Sequence, residues 1–272
     1  MWKESRRDMV PAFLFHPKKS QNFLINNRIL DKIIETAYLK KNDIVLEIGA
    51  GTGILTSRLA EKAGKVFSLE IDKTLTPILK NNLAEFSNVS LIFKNIKKVD
   101  LSVLGLLDRK YKLVANLPYS ITGYVLRRFL GEKPRPEVLV LMLQEEVGKR
   151  ITAQPPKMSK LSLACQFYGK PQIVLSVGRE NFWPQPKVDS VLIKIELKKK
   201  LPSPETEKYF FSLIKAGFLS PRKYLINNLV KANIGDKEQL REIFKKLNLD
   251  FKIRPAELSL ENWLELTKII FN

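Results

Sequence analysis

Short apolar runs rich in β-branched residues alternate with helically spaced apolar positions through the first two thirds of the chain. Ile44–Ile48 and residues 66–69, 89–93, 112–115 and 138–142 predict buried strands. Between most of them, Ile54–Lys62 and residues 75–85 and 124–130 carry helical spacing, as do residues 28–37 ahead of the first strand. This alternation predicts an α/β fold with a mostly parallel sheet covered by helices on both faces. Residues 173–177 and Ser190–Leu197 add two more strands, for seven in all. In the last, Val191, Ile193 and Ile195 alternate with Leu192, Lys194 and Glu196, which predicts an exposed, antiparallel edge strand.

Lys198-Lys-Lys-Leu-Pro-Ser-Pro204 joins a charge run to two prolines and reads as a linker. Beyond it the pattern is helical over residues 209–218, 224–231 and 237–247 and over Leu260–Phe271. Two domains are expected, a sheet domain over residues 1–200 and a helical one over residues 201–272.

Apolar residues make up 44% of the 272, enough to fill such a core and to exclude a disordered chain. Charge narrows the partner. Forty-seven Lys and Arg stand against 28 Asp and Glu, a formal +19, which favours a polyanion such as nucleic acid. Residues 201–272 hold 12 basic and 9 acidic side chains, so about +16 falls on the first 200 residues. Cys165, the lone cysteine, lies in an apolar stretch and is expected to pack as a small hydrophobe, with no internal disulfide. No apolar run approaches the roughly 18 residues of a membrane span, and residues 1–19 lack an apolar signal core. A cytoplasmic protein without membrane contact, and a monomer, is the expectation.

The candidate chemistry sits where strands end. Leu46-Glu-Ile-Gly-Ala-Gly-Thr-Gly53 follows the first strand, and Gly49, Gly51 and Gly53 let the backbone turn and approach a ligand closely. The spacing is one residue tighter than the dinucleotide G-x-G-x-x-G, which suits a cofactor without a pyrophosphate. Glu70 ends the second strand about 20 residues on, where an acid can bind both hydroxyls of a ribose. A solvent-exposed strand-end acid is the alternative. Asn95 ends the third strand, placed to meet an adenine ring of the same cofactor.

Asn116-Leu117-Pro118-Tyr119 follows the fourth strand. Methyl transfer from a sulfonium requires little acid–base chemistry and no metal. The harder problem is an adenine amine whose lone pair is delocalised into the ring. The side-chain oxygen of Asn116 and the carbonyl of Leu117 can accept its hydrogens and localise that pair. Pro118 stiffens the turn, and Tyr119 offers a face for a flipped base. Farther on, Asn181-Phe-Trp-Pro-Gln-Pro186 carries Phe182 or Trp183 to close the base's other face, unless it is only a Pro-rich turn.

These residues resemble the ribosomal RNA adenine dimethyltransferases, the group containing the KsgA-type small-subunit enzymes and the Erm-type resistance methylases. The likeness runs from about Lys18 to Leu266 through Gln21-Asn-Phe-Leu24, Glu47-Ile-Gly-Ala-Gly-Thr-Gly53, Glu70-Ile-Asp72, Asn116-Leu-Pro-Tyr119, Leu143-Gln-Glu-Glu-Val147, Phe182 to Ser190, Arg222-Lys223 and Arg254-Pro-Ala-Glu-Leu258. It implies a Rossmann-like class I methyltransferase domain using S-adenosylmethionine. Gln21, Asn22, Leu24, Gly49, Gly51, Glu70, Asn95 and Asn116 would line the cofactor site. Asn116, Leu117, Pro118 and Tyr119 would hold the target adenine, with Phe182 on its other face. Arg222 and Lys223 would help the helical domain dock ribosomal RNA of an immature small subunit.

Leu117 and Val188-Asp-Ser190 look like the KsgA branch, whereas Ser20 before Gln21 looks like Erm. The implied reaction is dimethylation of two adjacent adenines in a small-subunit hairpin loop. The alternatives are an Erm-type large-subunit methylase and a non-catalytic assembly factor. Three departures stand out: Ala50 for the usual Pro, Met158-Ser-Lys-Leu-Ser162 for Tyr-Gly-Arg-Leu-Ser, and Asn95 for the usual Asp. Asn95 retains an oxygen but loses the charge, which predicts cofactor binding about tenfold weaker.

Overall fold

The computed structural model describes residues 22–271. In chain order the elements are β1 (Phe23–Leu24), α1 (Asn27–Ala37), β2 (Ile44–Ile48), α2 (Ile54–Lys62), β3 (Lys65–Leu69), α3 (Thr76–Asn82), β4 (Val89–Ile92), β5 (Lys112–Asn116), α4 (Thr122–Gly131), β6 (Val138–Gln144), α5 (Glu145–Ile151) and α6 (Lys160–Tyr168). There follow β7 (Gly169–Val177), β8 (Phe182–Trp183), β9 (Ser190–Leu197), α7 (Pro204–Gly217), α8 (Leu225–Lys231), α9 (Lys237–Lys246) and α10 (Leu260–Phe271). They fall into two compact units, residues 22–148 with 172–197, and residues 149–171 with 198–271. The helical unit thus takes in Lys149–Pro171, which a linear division at residue 200 assigns to the sheet.

The first unit is built on a seven-stranded sheet in the order β4-β3-β2-β5-β6-β9-β7. β4, β3, β2, β5 and β6 run parallel, and β9 runs antiparallel to β6. Val138 to Leu143 are all buried, as a strand covered on both faces requires. α1 opens with Asn26, whose side chain accepts from Arg28 N at 2.9 Å, and stops at Tyr38 in the left-handed region. Its buried stripe of Ile29, Leu30, Ile33 and Ala37 joins the core under β2, β5 and β6.

One strand differs from expectation. β9 is not the sheet's edge but lies between β6 and β7. Val191 to Ile193, Ile195 and Leu197 are buried, and only Lys194 and Glu196 gave the run its amphipathic look. The edge falls to β7, where Lys170, Gln172, Ile173 and Ser176 are exposed and Pro171 withholds a ladder donor, as edge strands tolerate.

In the helical unit α7 begins at Pro204, several residues before the apolar pattern, because Ser203 caps it and proline fits the first turn. α6 escaped the periodicity because Ser162, Leu163, Cys165, Phe167 and Tyr168 are all buried, leaving no polar face to mark a helix. Ser159 and Ser162 form its reciprocal cap, so the unusual Met158–Ser162 stretch starts a helix. Cys165 packs at 1% exposure, and burial pushes its thiol up to about 12.

Candidate active site

Parallel strands carry their loops to one end of the sheet, and the glycine loop after β2 is the centre of that end. Gly49 and Gly51 have φ of +87° and +58°, a region where a Cβ is strained. The N–H groups of Gly49 and Ala50 both donate to the Leu69 carbonyl, at 2.8 and 3.0 Å, which bends the loop over the end of β3. On the other side it meets the turn after β5. A Cβ placed on Gly49 would stand 3.6 Å from both the Asn116 carbonyl oxygen and Pro118 Cδ.

Glu70 is not a solvent-exposed acid, being only 7% exposed. Its Oε2 accepts from Gly51 N at 2.9 Å, and its Oε1 accepts from Ile71 N and Asp72 N at 2.8 Å each. Burial raises its pKa above the usual carboxylate value, against the lowering effect of those donors. The three bonds fix the carboxyl in one orientation and leave a lone pair on Oε2 for a hydroxyl donor. Asn95 caps a short 3-10 turn over Ile96–Lys98, its Oδ1 accepting from Lys97 N at 3.0 Å. The oxygen assigned above to the cofactor is therefore engaged in the protein's own backbone.

The turn after β5 is held from two sides. Asn116 Nδ2 donates to the Asn22 carbonyl at 3.1 Å, and Leu117 N donates to the Met142 carbonyl at 3.1 Å. Because only the nitrogen of Asn116 can donate to a carbonyl, that bond settles the amide's orientation. Tyr119 is half-buried, with its hydroxyl 3.2 Å from the Oγ of Ser190 at the start of β9. Asn22 is brought here by β1, which pairs antiparallel with β8 in the register Phe23↔Trp183 and Leu24↔Phe182.

A cavity of about 400 Å³ joins these elements. Asn22, Leu24, Gly49, Gly51, Glu70 and Asn95 border it, and so do Asn116, Leu117, Pro118, Tyr119 and Phe182. Phe182 contributes from a buried position, at 4% exposure. Gln21 lies outside the described residues. Arg222 and Lys223 are exposed between α7 and α8 on the helical unit. The cavity's size, an oriented carboxyl and a backbone without Cβ atoms together fit a nucleoside-bearing ligand.

Sequence reasoning missed three groups. The Asn22 carbonyl and the Ser190 hydroxyl carry no local signal, since their partners lie 94 and 71 residues away. Glu47 did carry one, as an acid inside an apolar strand. It is fully buried, and Thr56 and Ser68 hydroxyls each donate to its Oε2 at 2.6 Å. Its Oε1 has no partner among the described residues, and burial pushes the pKa up to about 7.

The family model of ribosomal RNA adenine dimethylases matches residues 12–271. Ribosomal RNA small subunit methyltransferase A of Clostridium botulinum is 39% identical over 266 residues, covering 96% of this chain and 95% of the relative. Its counterpart in Alkaliphilus metalliredigens is 40% identical, covering 94% of this chain and 92% of the relative. Among solved structures, a dimethyladenosine transferase from Plasmodium falciparum superposes with a TM-score of 0.74 at 26% identity, over 89% of this chain and 94% of that one. The 23S rRNA methyltransferase ErmE agrees in fold, with a TM-score of 0.78 at 23% identity over 92% and 100% of the two chains. This chain belongs to the ribosomal RNA adenine dimethylase family.

Proposed function

We propose that this protein transfers methyl groups from S-adenosylmethionine to the N6 amines of two adjacent adenines in a hairpin loop of small-subunit ribosomal RNA. The observation that carries the reading is the contact between the glycine loop and the Asn116 to Tyr119 turn, with a Gly49 Cβ position 3.6 Å from the Asn116 carbonyl oxygen. A donor seated on the loop then lies beside an acceptor held by the turn. The small-subunit assignment follows the two relatives, both small-subunit ribosomal RNA methyltransferases by name.

The sheet order supports one orientation for the cofactor. β4 and β5 are three strand spacings apart, roughly 14 Å, with β3 and β2 between them. Glu70 at the end of β3 accepts from a ribose hydroxyl through its Oε2. The reacting methyl must face Asn116, so the cofactor's adenine falls on the Asn95 side. When bound, the sulfonium supplies an activated methyl and a neutral leaving group.

The remaining work belongs to the chain. Asn22 holds Asn116 Nδ2, so Oδ1 is the amide atom left to face an incoming amine. Together with the Leu117 carbonyl it accepts the amine's two hydrogens and draws the nitrogen toward tetrahedral geometry. Tyr119, steadied by Ser190, stacks on the flipped base, worth on the order of 1–3 kcal/mol. Phe182 bounds the other face. Loop adenines suit this site because they are already partly unstacked.

The substrate is an immature small subunit, met by a cytoplasmic monomer. The +19 charge supports a polyanionic partner. Among the described residues no helix is long and apolar enough to cross a membrane. Arg222 and Lys223, exposed on the helical unit, contribute RNA contacts.

The test supplies labelled cofactor with unmethylated small subunits or with naked large-subunit RNA, followed by mass spectrometry of the modified nucleotides. Dimethyladenosine in the small-subunit RNA is the expected product. Methylation of the large-subunit RNA alone would assign the protein to the Erm-type activity. No incorporation into either would leave an assembly factor.

A further inference from the structure

The loop between Gly217, which ends α7, and Leu225, which opens α8, carries Arg222 and Lys223. Both are exposed, and among the described residues neither is held in an ion pair. Their backbone, by contrast, is tied down. Lys223 N donates to the Ser220 carbonyl at 2.9 Å, which closes a turn over Ser220-Pro-Arg-Lys223 with proline at its second position. Beyond the turn, Leu225 N donates to the Ile253 carbonyl at 2.8 Å. Ahead of it, a single side chain from α8 does the holding. Asn228 is 2% exposed, and its Oδ1 accepts from Ser220 N at 3.2 Å. Its Nδ2 donates to the Gly217 carbonyl at 2.7 Å and to the Ser220 carbonyl at 3.0 Å. The amide therefore grips Ser220 by both of its backbone groups, and those partners fix which atom is oxygen and which is nitrogen.

We infer that Asn228 is a positioning residue for RNA docking, presetting the turn so that Arg222 and Lys223 meet phosphates without the loop first having to order. The inference rests on the RNA contacts proposed above for those two residues. Asn228 is buried and touches no RNA itself; it acts through the turn. With the backbone already fixed, its ordering entropy is not subtracted from the binding free energy. Removing the amide frees the turn but removes no positive charge. The number of phosphates neutralised stays the same, so affinity drops by a constant factor at every salt concentration. Removing the cations instead makes the salt dependence shallower.

Filter binding of labelled, unmethylated small subunits over a salt series tests this on wild type, Asn228→Ala, the Arg222→Ala/Lys223→Ala pair and the triple variant. Asn228→Ala is expected to bind about fivefold more weakly than wild type at each salt concentration, with the log–log slope unchanged. The triple variant is expected to bind within about twofold of the pair, because a turn without its cations has nothing to position. A purely structural asparagine would cost the same in both backgrounds. Should Asn228→Ala fail to fold, Pro221→Gly loosens the same turn from its exposed side and is expected to give the same pattern. Wild-type affinity in both Asn228→Ala and Pro221→Gly, or a fivefold loss that persists once both cations are gone, overturns the inference while leaving Arg222 and Lys223 as RNA contacts. If the Arg222→Ala/Lys223→Ala pair itself binds with wild-type affinity and slope, the RNA contact assigned to this turn fails and the inference with it.

Discussion

A carboxyl sealed inside an apolar sheet resists ionisation, and burial pushes the pKa of Glu47 up to about 7 from the ordinary 4.5. Between those values the folded state keeps a proton that the unfolded state has released. Stability from this group therefore falls as pH rises from about 4.5 to about 7, and is constant above that. The shift corresponds to about 3 kcal/mol. Urea unfolding of wild type and Glu47→Gln at pH 5 and pH 8 should show the variant gaining on wild type by about that amount at the higher pH. A stability difference independent of pH would show that Glu47 does not hold its proton. At this scale the sequence was legible wherever a residue type is itself the signal. Gly49 lacks a Cβ, Glu70 is an acid at a strand end, and Asn116 is an amide in a turn. The groups that orient them were hidden, because a carbonyl at Asn22 looks like any other carbonyl until the chain has folded.

The elements position the site through long-range pairs. The Tyr119 hydroxyl, in the turn after β5, reaches Ser190 at the start of β9 across the intervening β6. Tyr119→Phe and Ser190→Ala each remove this one bond and keep the ring. Each should lower kcat/KM for RNA about fivefold and leave the cofactor Kd unchanged, the worth of a hydrogen bond of about 1 kcal/mol. The double variant should lose no more than either single one. Additive losses would mean the two side chains act separately. The parallel strands were readable because burial on both faces writes a continuous apolar run. The place of β9 was not, because local alternation carries no information about strand order, and Lys194 and Glu196 mimicked an edge. The two-residue ribbon of β1 and β8 is too short for any period, yet it delivers Asn22 to Asn116.

For the whole molecule, the +19 charge makes RNA binding a matter of counterion release. Affinity should fall linearly with salt on a log–log scale, and Arg222→Ala with Lys223→Ala should make that slope shallower by about 1.5–2. Cofactor affinity should not move, and a loss of both would refute the division of labour between the two units. The α/β class and the family were legible in the pattern and the motifs. The membership of Lys149–Pro171 in the helical unit was not, since it depends on contacts distant in sequence.

In the proposed reaction the turn after β5 clamps an adenine amine beside the donor methyl. Single-turnover methyl transfer by Asn116→Ala, read against its cofactor Kd, tests it most directly. A rate loss on the order of 10²–10³-fold is expected, as for removal of a preorganised transition-state contact, with Kd changed by less than about threefold. An undiminished rate, or a loss that tracks weakened cofactor binding, would contradict it.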